Sequence, residues 1–228
     1  MSSSAISTPH SHSSAAATAA ADVDLAYDWR YEISKRALDV AVSLTSLLVL
    51  LPLFLAIGLG VKLSSKGPIF FRQRRLGRGG RTFWCFKFRT MVPDAEALLA
   101  NCQDMLAQFD ENYKLTHDPR VTRFGAFLRK TSLDEIPQLW NVLRGEMSLI
   151  GPRPIVPPEL SRYGNDADRL LLVKPGLGGV WQVSGRSDTT YAQRIAMDME
   201  YVTARSFWFD LRLLVATALV VIKGRGAY

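Results

Sequence analysis

Two adjacent carboxylates, Asp134 and Glu135, are the residues of this chain whose type and spacing best fit a chemical role. An ionised carboxylate can attack phosphorus and form an acyl phosphate, and a neighbouring carboxylate can hold Mg²⁺ against a diphosphate. The alternative is structural: Ser132 and Glu135 have the spacing of a capping box at a helix start. That helix would place Asp134 in its first turn, where the macrodipole favours the ionised form. Both interpretations remain open on these residues alone.

Basic residues beside aromatic, glycine or proline residues supply the cations that phosphoryl transfer requires. The forked guanidinium group of arginine matches phosphate oxygens and can fix a diphosphate for in-line displacement. For any single basic residue, a solvated surface position is the more common role. As a set they predict an anionic substrate, and the members are Lys87, Arg89, Arg129, Arg153 and Arg186.

Composition excludes several other kinds of site. The 28 basic and 21 acidic residues give a net charge of +7, which favours anionic partners without choosing among nucleic acid, lipid headgroups and phosphorylated substrates. The two cysteines, Cys85 and Cys102, form no CxxC motif, and the three histidines are scattered, so neither a zinc site nor a disulfide framework is predicted. GxSxG, HExxH and GxxxxGK[ST] motifs are absent from the sequence.

A long apolar segment is the strongest physical feature of the chain. The 22 residues from Val40 to Val61 carry no charge, and a helix of that length would cross a hydrocarbon core of roughly 30 Å. Pro52 lies near the middle, where it removes a backbone donor. Because positive residues favour the cytoplasmic side, basic flanks at both ends favour a re-entrant helix over a spanning helix or a buried soluble one. These flanking residues are Lys35, Arg36, Lys62, Lys66 and Arg72.

The remaining segments are predicted by composition and pattern. Residues 1–24 are mostly Ser, Ala and Thr, which predicts a disordered leader. Glycines at 77, 79 and 80 between apolar and basic runs predict a β-hairpin, and residues 93–111 and 121–130 are predicted helices. The apolar run 213–222 is too short to span a bilayer and predicts an interfacial or core helix.

Four motifs occur in an order that resembles a known family. They are KRALD at 35–39, FKFRTM at 86–91, a long motif at 118–154 that includes TSLDEIPQLWN and GPRP, and PGLGGVWQVSGRSD at 175–188. Together they closely resemble the monotopic phosphoglycosyl transferases of bacteria, also called bacterial sugar transferases, over roughly residues 33–228. The resemblance implies an α+β fold: a small, mostly helical catalytic domain with a β-hairpin element and an N-terminal re-entrant membrane helix. The implied organisation is a leader at 1–28, a re-entrant helix segment at 29–66, and a catalytic domain with a C-terminal interfacial helix at 67–228.

The resemblance also implies residue roles. Asp134 falls on the family's nucleophile, which attacks the phosphate nearest the sugar and expels UMP before polyprenyl phosphate accepts the sugar phosphate. Glu135 falls on its magnesium-associated partner, so the implied cofactor is Mg²⁺. Arg129, Arg153 and Arg186 match positions that handle the nucleotide sugar or its phosphates. The other predicted substrate-binding residues are Lys87, Arg89 and Gln182.

The implied substrates are a UDP-hexose, with galactose or glucose as the sugar, and undecaprenyl phosphate. The ending KGRGAY and the phrase WQVSGRSD resemble enzymes that load a hexose for exopolysaccharide synthesis. The expected location is the cytoplasmic face of the bacterial inner membrane, in contact with lipid, without nucleic acid and with a possible homo-oligomer.

Two departures from the family pattern accompany this resemblance. Leu51 precedes Pro52 where a serine is usual, and Gly178 replaces a threonine in the PGxTG loop. The alternative function is a catalytically silent membrane adaptor of the same fold in a polysaccharide assembly complex. The intact pair of carboxylates weighs against it.

Overall fold

Two consecutive helices joined at a sharp bend begin the described part of the chain. The computed structural model describes residues 28–102, 115, 118–184 and 189–223. Helix α1 (Trp29–Val49) starts at Asp28, whose carboxylate accepts hydrogen bonds from two backbone N–H groups. Helix α2 (Leu51–Ser64) follows after a bend of 65°. Pro52 lies in the first turn of α2, where no intrahelical hydrogen bond is lost. The predicted break is thus confirmed, although it falls between two helices and not within one.

The bent pair exposes a continuous apolar surface. No single helix among the described residues is both long and apolar enough to cross a bilayer, whereas α1 and α2 taken together meet the length and composition requirement. The exposed side chains on this surface are Leu44, Leu48, Val49, Leu51, Leu53, Leu55, Leu59 and Leu63.

The predicted β-hairpin is confirmed. Strands β1 (Phe70–Leu76) and β2 (Thr82–Phe88) pair antiparallel, and Gly79 and Gly80 in the turn both have positive φ. Because side chains alternate between the faces of a strand, Lys87 shares one face of β2 with the buried Cys85. Trp84 lies on the other face, where the guanidinium groups of two strand β1 arginines stack over it.

Short helices and strands make up the rest of the domain. The predicted helix at 121–130 is confirmed as α4 (Arg123–Thr131). The predicted helix at 93–111 is described only over α3 (Ala95–Ala100), because residues 103–114 lie outside the described residues. Strands β3 (Ser148–Ile150) and β4 (Gly176–Gly178) form a parallel pair. The elements after the hairpin are α3 (Ala95–Ala100), α4 (Arg123–Thr131), α5 (Gln138–Arg144), β3 (Ser148–Ile150), α6 (Ala167–Leu170), β4 (Gly176–Gly178), α7 (Val180–Ser184), α8 (Tyr191–Ala204) and α9 (Phe207–Lys223).

Three polar residues of the KRALD motif attach α1 to this domain. Lys35 Nζ lies 2.8 Å from an oxygen of Asp210 in α9, a carboxylate that also accepts hydrogen bonds from two tyrosine hydroxyls. The guanidinium of Arg36 donates to the carbonyls of Val142 and Leu143, at the end of α5. Buried Asp39 accepts from the Ser148 hydroxyl and the Leu149 N–H of β3. The first half of α1 is therefore held by protein on three sides.

Helix α2 is attached to the same domain at its other end. Arg89, just after β2, donates to the carbonyl and hydroxyl of Ser65 at 2.7 and 3.0 Å. Gly60 of α2 lies so close to the ring of Phe124 in α4 that a Cβ there would be 2.6 Å from a ring carbon. Both ends of the bent pair thus contact one compact body, and the apolar bend projects from it.

Helix α9 contains the predicted apolar run 213–222. Leu213 is buried in the main core together with Tyr201 of α8, and α9 packs against α1, α7 and both short parallel strands. Several other α9 side chains, including Trp208 and Leu219, are exposed. The run is therefore helical, with one face toward the core and an apolar face toward the outside.

Candidate active site

The Asp134–Glu135 pair lies on a tight turn between α4 and α5. Ser132 ends α4 with a left-handed φ of 57°, and Leu133–Glu135 form a single 3₁₀ turn. The predicted capping box was wrong, because the Ser132 side chain makes no capping hydrogen bond to this turn and Glu135 N–H donates to the Ser132 carbonyl instead. An α-helix beginning at Leu133 would need an N–H at position 137, and Pro137 has none.

Asp134 is buried, and one lysine contacts both carboxylates. Asp134 is 7% exposed, and its Oδ2 lies 3.9 Å from Lys87 Nζ. Glu135 is more exposed, and its Oε1 lies 2.6 Å from the same nitrogen. Strand β2 presents Lys87 from the face that points into the domain. The structure thus brings three of the predicted site residues together.

Burial controls the protonation of Asp134. It raises the pKa of Asp134 to about 6, while the positive charges of Lys87 and Arg129 act in the opposite direction and the charge of Glu135 adds to the increase. The sequence-based expectation of a macrodipole that favours ionisation was therefore wrong, since Asp134 does not lie in the first turn of an α-helix. Above pH 6 the group is mainly an ionised carboxylate, the form that a nucleophile requires.

Arg129 approaches the same pair from α4. Its Nε donates to the Thr90 hydroxyl at 3.0 Å. Burial lowers the pKa of Arg129, and the negative charge of Asp134 opposes that shift, which shows that the two groups are electrostatic neighbours. Gly125 allows α4 to come this close, because a Cβ at that position would collide with the Thr90 carbonyl. Arg129 can therefore stabilise negative charge beside Asp134.

Arg89 belongs to a different environment. Its hydrogen bonds within the described part of the chain go to Val61 and Ser65 at the end of α2, and none goes to Asp134 or Glu135. Burial lowers the pKa of Arg89. The structure assigns this arginine a visible role in fixing α2, and its predicted contact with substrate stays a prediction.

Arg153 is positioned by aromatic and acidic neighbours. Its guanidinium carbon lies 4.9 Å from the centre of the Trp181 ring, and its backbone N–H donates to Asp198 Oδ1 at 3.3 Å. The other oxygen of Asp198 accepts from the Tyr163 hydroxyl at 2.8 Å. Burial raises the pKa of Asp198 to about 6, whereas these hydrogen bonds and nearby arginines lower it. Backbone and side chain of Arg153 are therefore both held.

Arg75 is a site residue that the sequence analysis missed. Its Nη1 donates to the Pro154 carbonyl at 2.9 Å. Burial lowers the pKa of Arg75, the charge of Arg153 lowers it further, and the charges of Glu159 and Glu135 oppose this. Arg75 thus bonds to the residue after Arg153 and lies within electrostatic range of Arg153 and Glu135. The alternation of β1 could have revealed it, since Gln73 and Arg75 occupy the face paired with Cys85 and Phe83.

Several buried polar atoms outside the carboxylate pair have no hydrogen-bond partner among the described residues. They include Glu159 Oε2, Trp181 Nε1 and Gln182 Oε1, although the Gln182 amide nitrogen donates to the Leu177 carbonyl. Buried polar atoms usually have hydrogen-bond partners, so these are candidate contacts for substrate hydroxyls or for neighbouring chain. Arg186, predicted as a substrate ligand, lies outside the described residues.

The oxygen donors of the pair suit one kind of metal site. No cluster of three or more His, Cys, Asp or Glu side chains that could hold a metal occurs within the described ranges. Mg²⁺ is commonly bound through one or two carboxylates together with substrate phosphates and water, and therefore does not require such a cluster. Asp134 and Glu135 supply that donor set. Lys87 contacts both carboxylates, so the pair already attracts one positive charge.

Comparisons with known proteins agree on one family. A family model described as bacterial sugar transferase matches residues 30–224. The undecaprenyl-phosphate galactose phosphotransferase of Salmonella typhimurium is 46% identical over 198 residues, which are 85% of this chain and 41% of that protein. The exopolysaccharide production protein ExoY of Sinorhizobium fredii is 46% identical over 200 residues, 86% of this chain and 88% of that protein.

A third relative is the UDP-glucose:undecaprenyl-phosphate glucose-1-phosphate transferase of Xanthomonas campestris pv. campestris. It is 42% identical over 207 residues, which are 87% of this chain and 40% of that protein. The chain therefore spans about two fifths of the length of the Salmonella and Xanthomonas relatives and most of the length of ExoY.

Proposed function

The chain belongs to the bacterial sugar transferase family, and on that premise we propose that it transfers a hexose 1-phosphate, of galactose or glucose, from a UDP-sugar to undecaprenyl phosphate with release of UMP. The names of its relatives support sugar-phosphate transfer to this lipid carrier in exopolysaccharide synthesis. The observation that carries the proposal is the buried Asp134 carboxylate, with Lys87, Glu135 and Arg129 around it.

In the first step, a carboxylate oxygen of Asp134 attacks the phosphorus nearest the sugar. A new P–O bond forms, the P–O bond to the UMP phosphate breaks, and UMP leaves with the bridging oxygen and its electron pair. Lys87 and Arg129 stabilise the negative charge that develops on the phosphoryl oxygens. The side chain of Asp134 then carries the hexose 1-phosphate as an acyl phosphate.

In the second step, an oxygen of undecaprenyl phosphate attacks the same phosphorus. The bond to Asp134 breaks, which restores the carboxylate and yields a hexose joined to undecaprenyl through a diphosphate. Because nucleotide and lipid carrier react in turn, the same cations serve both halves of the reaction. Arg153, held over Trp181, and Arg75 beside it extend this cationic surface away from Asp134 and suit the remaining phosphate of the donor.

The direct test uses purified protein, undecaprenyl phosphate and a panel of UDP-sugars, with UMP release as the signal. We expect release with UDP-galactose or UDP-glucose, and no sustained release when the lipid carrier is left out. A protein that releases UMP with no member of the panel would contradict transferase activity and favour the silent adaptor of the same fold.

Magnesium is the proposed cofactor, and Glu135 with Asp134 would hold it. When bound, Mg²⁺ neutralises diphosphate charge and makes UMP a better leaving group. We expect chelation with EDTA to abolish UMP release and added Mg²⁺ to restore it. We also expect Glu135→Gln to reduce kcat/KM by roughly 10²-fold or more and to raise the Mg²⁺ concentration needed for half-maximal activity.

The unfolding temperature separates this role from a structural one. Glu135 is partly exposed and makes its ion pair with Lys87 at the surface of the turn, so its neutralisation should change the unfolding temperature little. A Glu135→Gln protein with an unchanged Mg²⁺ requirement would argue against metal handling by this residue.

We further propose that the bent α1–α2 pair is a re-entrant membrane element and that the enzyme works at the cytoplasmic face of the bacterial inner membrane. Both ends of the pair contact the same small domain, through Lys35 and Asp39 at one end and Arg89 at the other. A helix that crossed the bilayer would separate these ends by about 30 Å of hydrocarbon. The exposed leucines of the bend then lie in lipid.

This topology predicts that the start of α1 is protected from reagents that cannot cross the membrane, and that replacing Pro52 does not remove this protection. A single cysteine at Ile33, which is 61% exposed, in a Cys85→Ala and Cys102→Ala background should not react with a membrane-impermeant thiol reagent in intact cells. Pro52→Leu should leave that protection unchanged, because Pro52 costs little in the first turn of α2 while the Lys35–Asp210 pair resists separation.

Permeabilised cells supply the control, since the same cysteine should then react. Adding Lys35→Gln and Asp39→Asn to Pro52→Leu should allow partial labelling. Labelling of the otherwise unchanged protein in intact cells would mean that α1 begins outside the membrane, which contradicts the re-entrant arrangement.

A further inference from the structure

A basic cavity lies between the first half of α1 and the segment that leads into β4. Its volume is about 40 Å³, enough for a few water molecules or one phosphate group. None of its lining residues belongs to the candidate active site. Two carboxylates, Glu32 and Asp39, line it together with a larger number of cations, which are Lys35, Arg36, Arg78, Lys174 and Arg205.

Two of these cations are already neutralised by carboxylates. Lys35 Nζ lies 2.8 Å from Asp210, and Arg78 lies 3.1 Å from Glu32. They contribute shape and hydrogen-bond donors to the cavity wall, with little net charge.

The other three cations leave an excess of positive charge. Arg36 and Arg205 donate to backbone carbonyls, which satisfy their N–H groups without neutralising their charge. Lys174 is half-buried and has no hydrogen-bond or ion-pair partner among the described residues. Its Nζ and Arg36 Nη2 lie 3.7 and 3.6 Å from one point, the Cβ position of Gly145, so the two cations are close neighbours. Asp39 is the remaining carboxylate, and its Oδ1 accepts hydrogen bonds from the Ser148 hydroxyl and the Leu149 N–H of β3.

We propose that this cavity binds a phosphate group, supplied by the headgroup of a phospholipid. A tetrahedral anion would give Lys174 the partner it lacks and would receive the free donors of Arg36 and Arg205. Burial and the charge of Arg36 lower the pKa of Lys174, and the charges of Asp39 and Glu32 partly offset these effects. Lys174 and Arg36 lie close together and neither forms an ion pair with a carboxylate among the described residues, an arrangement that an anionic ligand relieves.

The position of the cavity favours a lipid as the source. It is lined by the polar half of α1, between Tyr31 and Asp39, immediately before the exposed apolar stretch that contains Leu44 and Leu48. If the bend enters the membrane as proposed above, this half of α1 lies at headgroup level. The choice of lipid rests on that proposed placement, whereas the phosphate chemistry of the cavity does not.

Thermal unfolding of the full chain in an uncharged detergent tests this proposal. Ligands that bind only the folded protein raise its unfolding temperature in a saturable way. We expect such a rise with dihexanoyl phosphatidylglycerol at constant ionic strength, and none with dihexanoylglycerol, which lacks the phosphate. Inorganic phosphate is the second probe: tighter binding of the lipid identifies a headgroup, and equal binding identifies free phosphate as the ligand.

Matched variants locate the binding. Lys174→Gln and Arg205→Gln should each weaken the response by roughly tenfold or more, since each removes a charge-assisted contact. Lys174→Arg should retain it, and Lys66→Gln, which removes the same charge from an exposed position, should have no effect. A response that is absent, or unchanged in both Lys174→Gln and Arg205→Gln, would overturn the proposal.

The assay contains neither nucleotide sugar nor lipid carrier, so its result is independent of the transfer reaction. Asp134→Asn protein should respond as the unchanged protein does. If the unchanged protein shows the lipid response but no transferase activity, the proposed function alone is rejected; if it shows transferase activity but no lipid response, this site alone is rejected.

Discussion

Asp134→Asn is expected to abolish UMP release, with a fall in turnover of roughly 10⁴-fold or more, because an amide cannot form the acyl phosphate. The substitution is nearly isosteric, so Lys87, Arg129 and Glu135 keep their positions around it. Release of UMP measured in a single turnover, without lipid carrier, isolates the first step. A comparable rate in the variant would show that Asp134 is not the nucleophile.

Stability supplies the control for this variant. The pKa of Asp134 is about 6 in the folded protein and close to 3.9 when unfolded, so the folded state binds more protons between these values. Stability therefore falls as pH rises from about 4 to about 6, by at most ~3 kcal/mol. Asparagine avoids this loss, and we expect Asp134→Asn to unfold at a temperature equal to or higher than that of the unchanged protein at pH 7. A variant that is inactive because it is misfolded would unfold at a lower temperature than the unchanged protein at pH 7.

Lys87→Gln is expected to lower kcat/KM by roughly 10²-fold and also to shift its dependence on pH. Asp134 must be ionised to attack, so kcat/KM of the unchanged protein should fall about tenfold per pH unit below pH 6. Lys87 carries a positive charge 3.9 Å from Asp134 that favours ionisation. Without it the pKa of Asp134 rises, and the acid limb of the profile should move upward by about one pH unit or more.

Lys87→Arg is the matched variant, because it keeps the charge while changing the geometry. It should retain an acid limb near pH 6 even if its rate is reduced. The limb therefore separates two roles of Lys87: contact with substrate lowers the rate at every pH, whereas control of Asp134 moves the limb. An acid limb that stays in place in Lys87→Gln would assign the titration to another group.

The identity of the site residues was easier to predict than their environment. Adjacent carboxylates and nearby cations pointed to Asp134, Glu135 and Lys87 without excluding a capping role, the family resemblance singled out the two carboxylates, and the structure brings all three residues together. The helix start implied by the capping-box alternative is absent, because Pro137 lacks the N–H that an α-helix beginning at Leu133 would need. Burial of Asp134, which sets its pKa, depends on elements far apart in the chain and has no local sequence signal.

Fold elements with strong local signals were predicted well. The hairpin turn at its glycines, the predicted helix at 121–130 and the break near Pro52 all appear in the structure. Lys35 and Arg36 were interpreted as flanking charges that set topology, yet both bond to protein. Basic residues at a membrane boundary and basic residues that dock a helix have the same sequence pattern, and only the distant partners distinguish them.

The contact between Lys35 and Asp210 joins residues 175 positions apart, and this separation has a consequence for biogenesis. Proteins are synthesised from the N-terminus at about 5–20 residues per second, so α1 and α2 leave the ribosome many seconds before α9 exists. Until residue 148 has been made, the bent pair also lacks the β3 groups that hold Asp39, and Asp210 becomes available to Lys35 only later. In the first interval the proposed membrane element is oriented by its basic flanks and by lipid. A chain arrested between β3 and Asp210 would hold α1 through Arg36 and Asp39 while Lys35 still lacked its ion-pair partner.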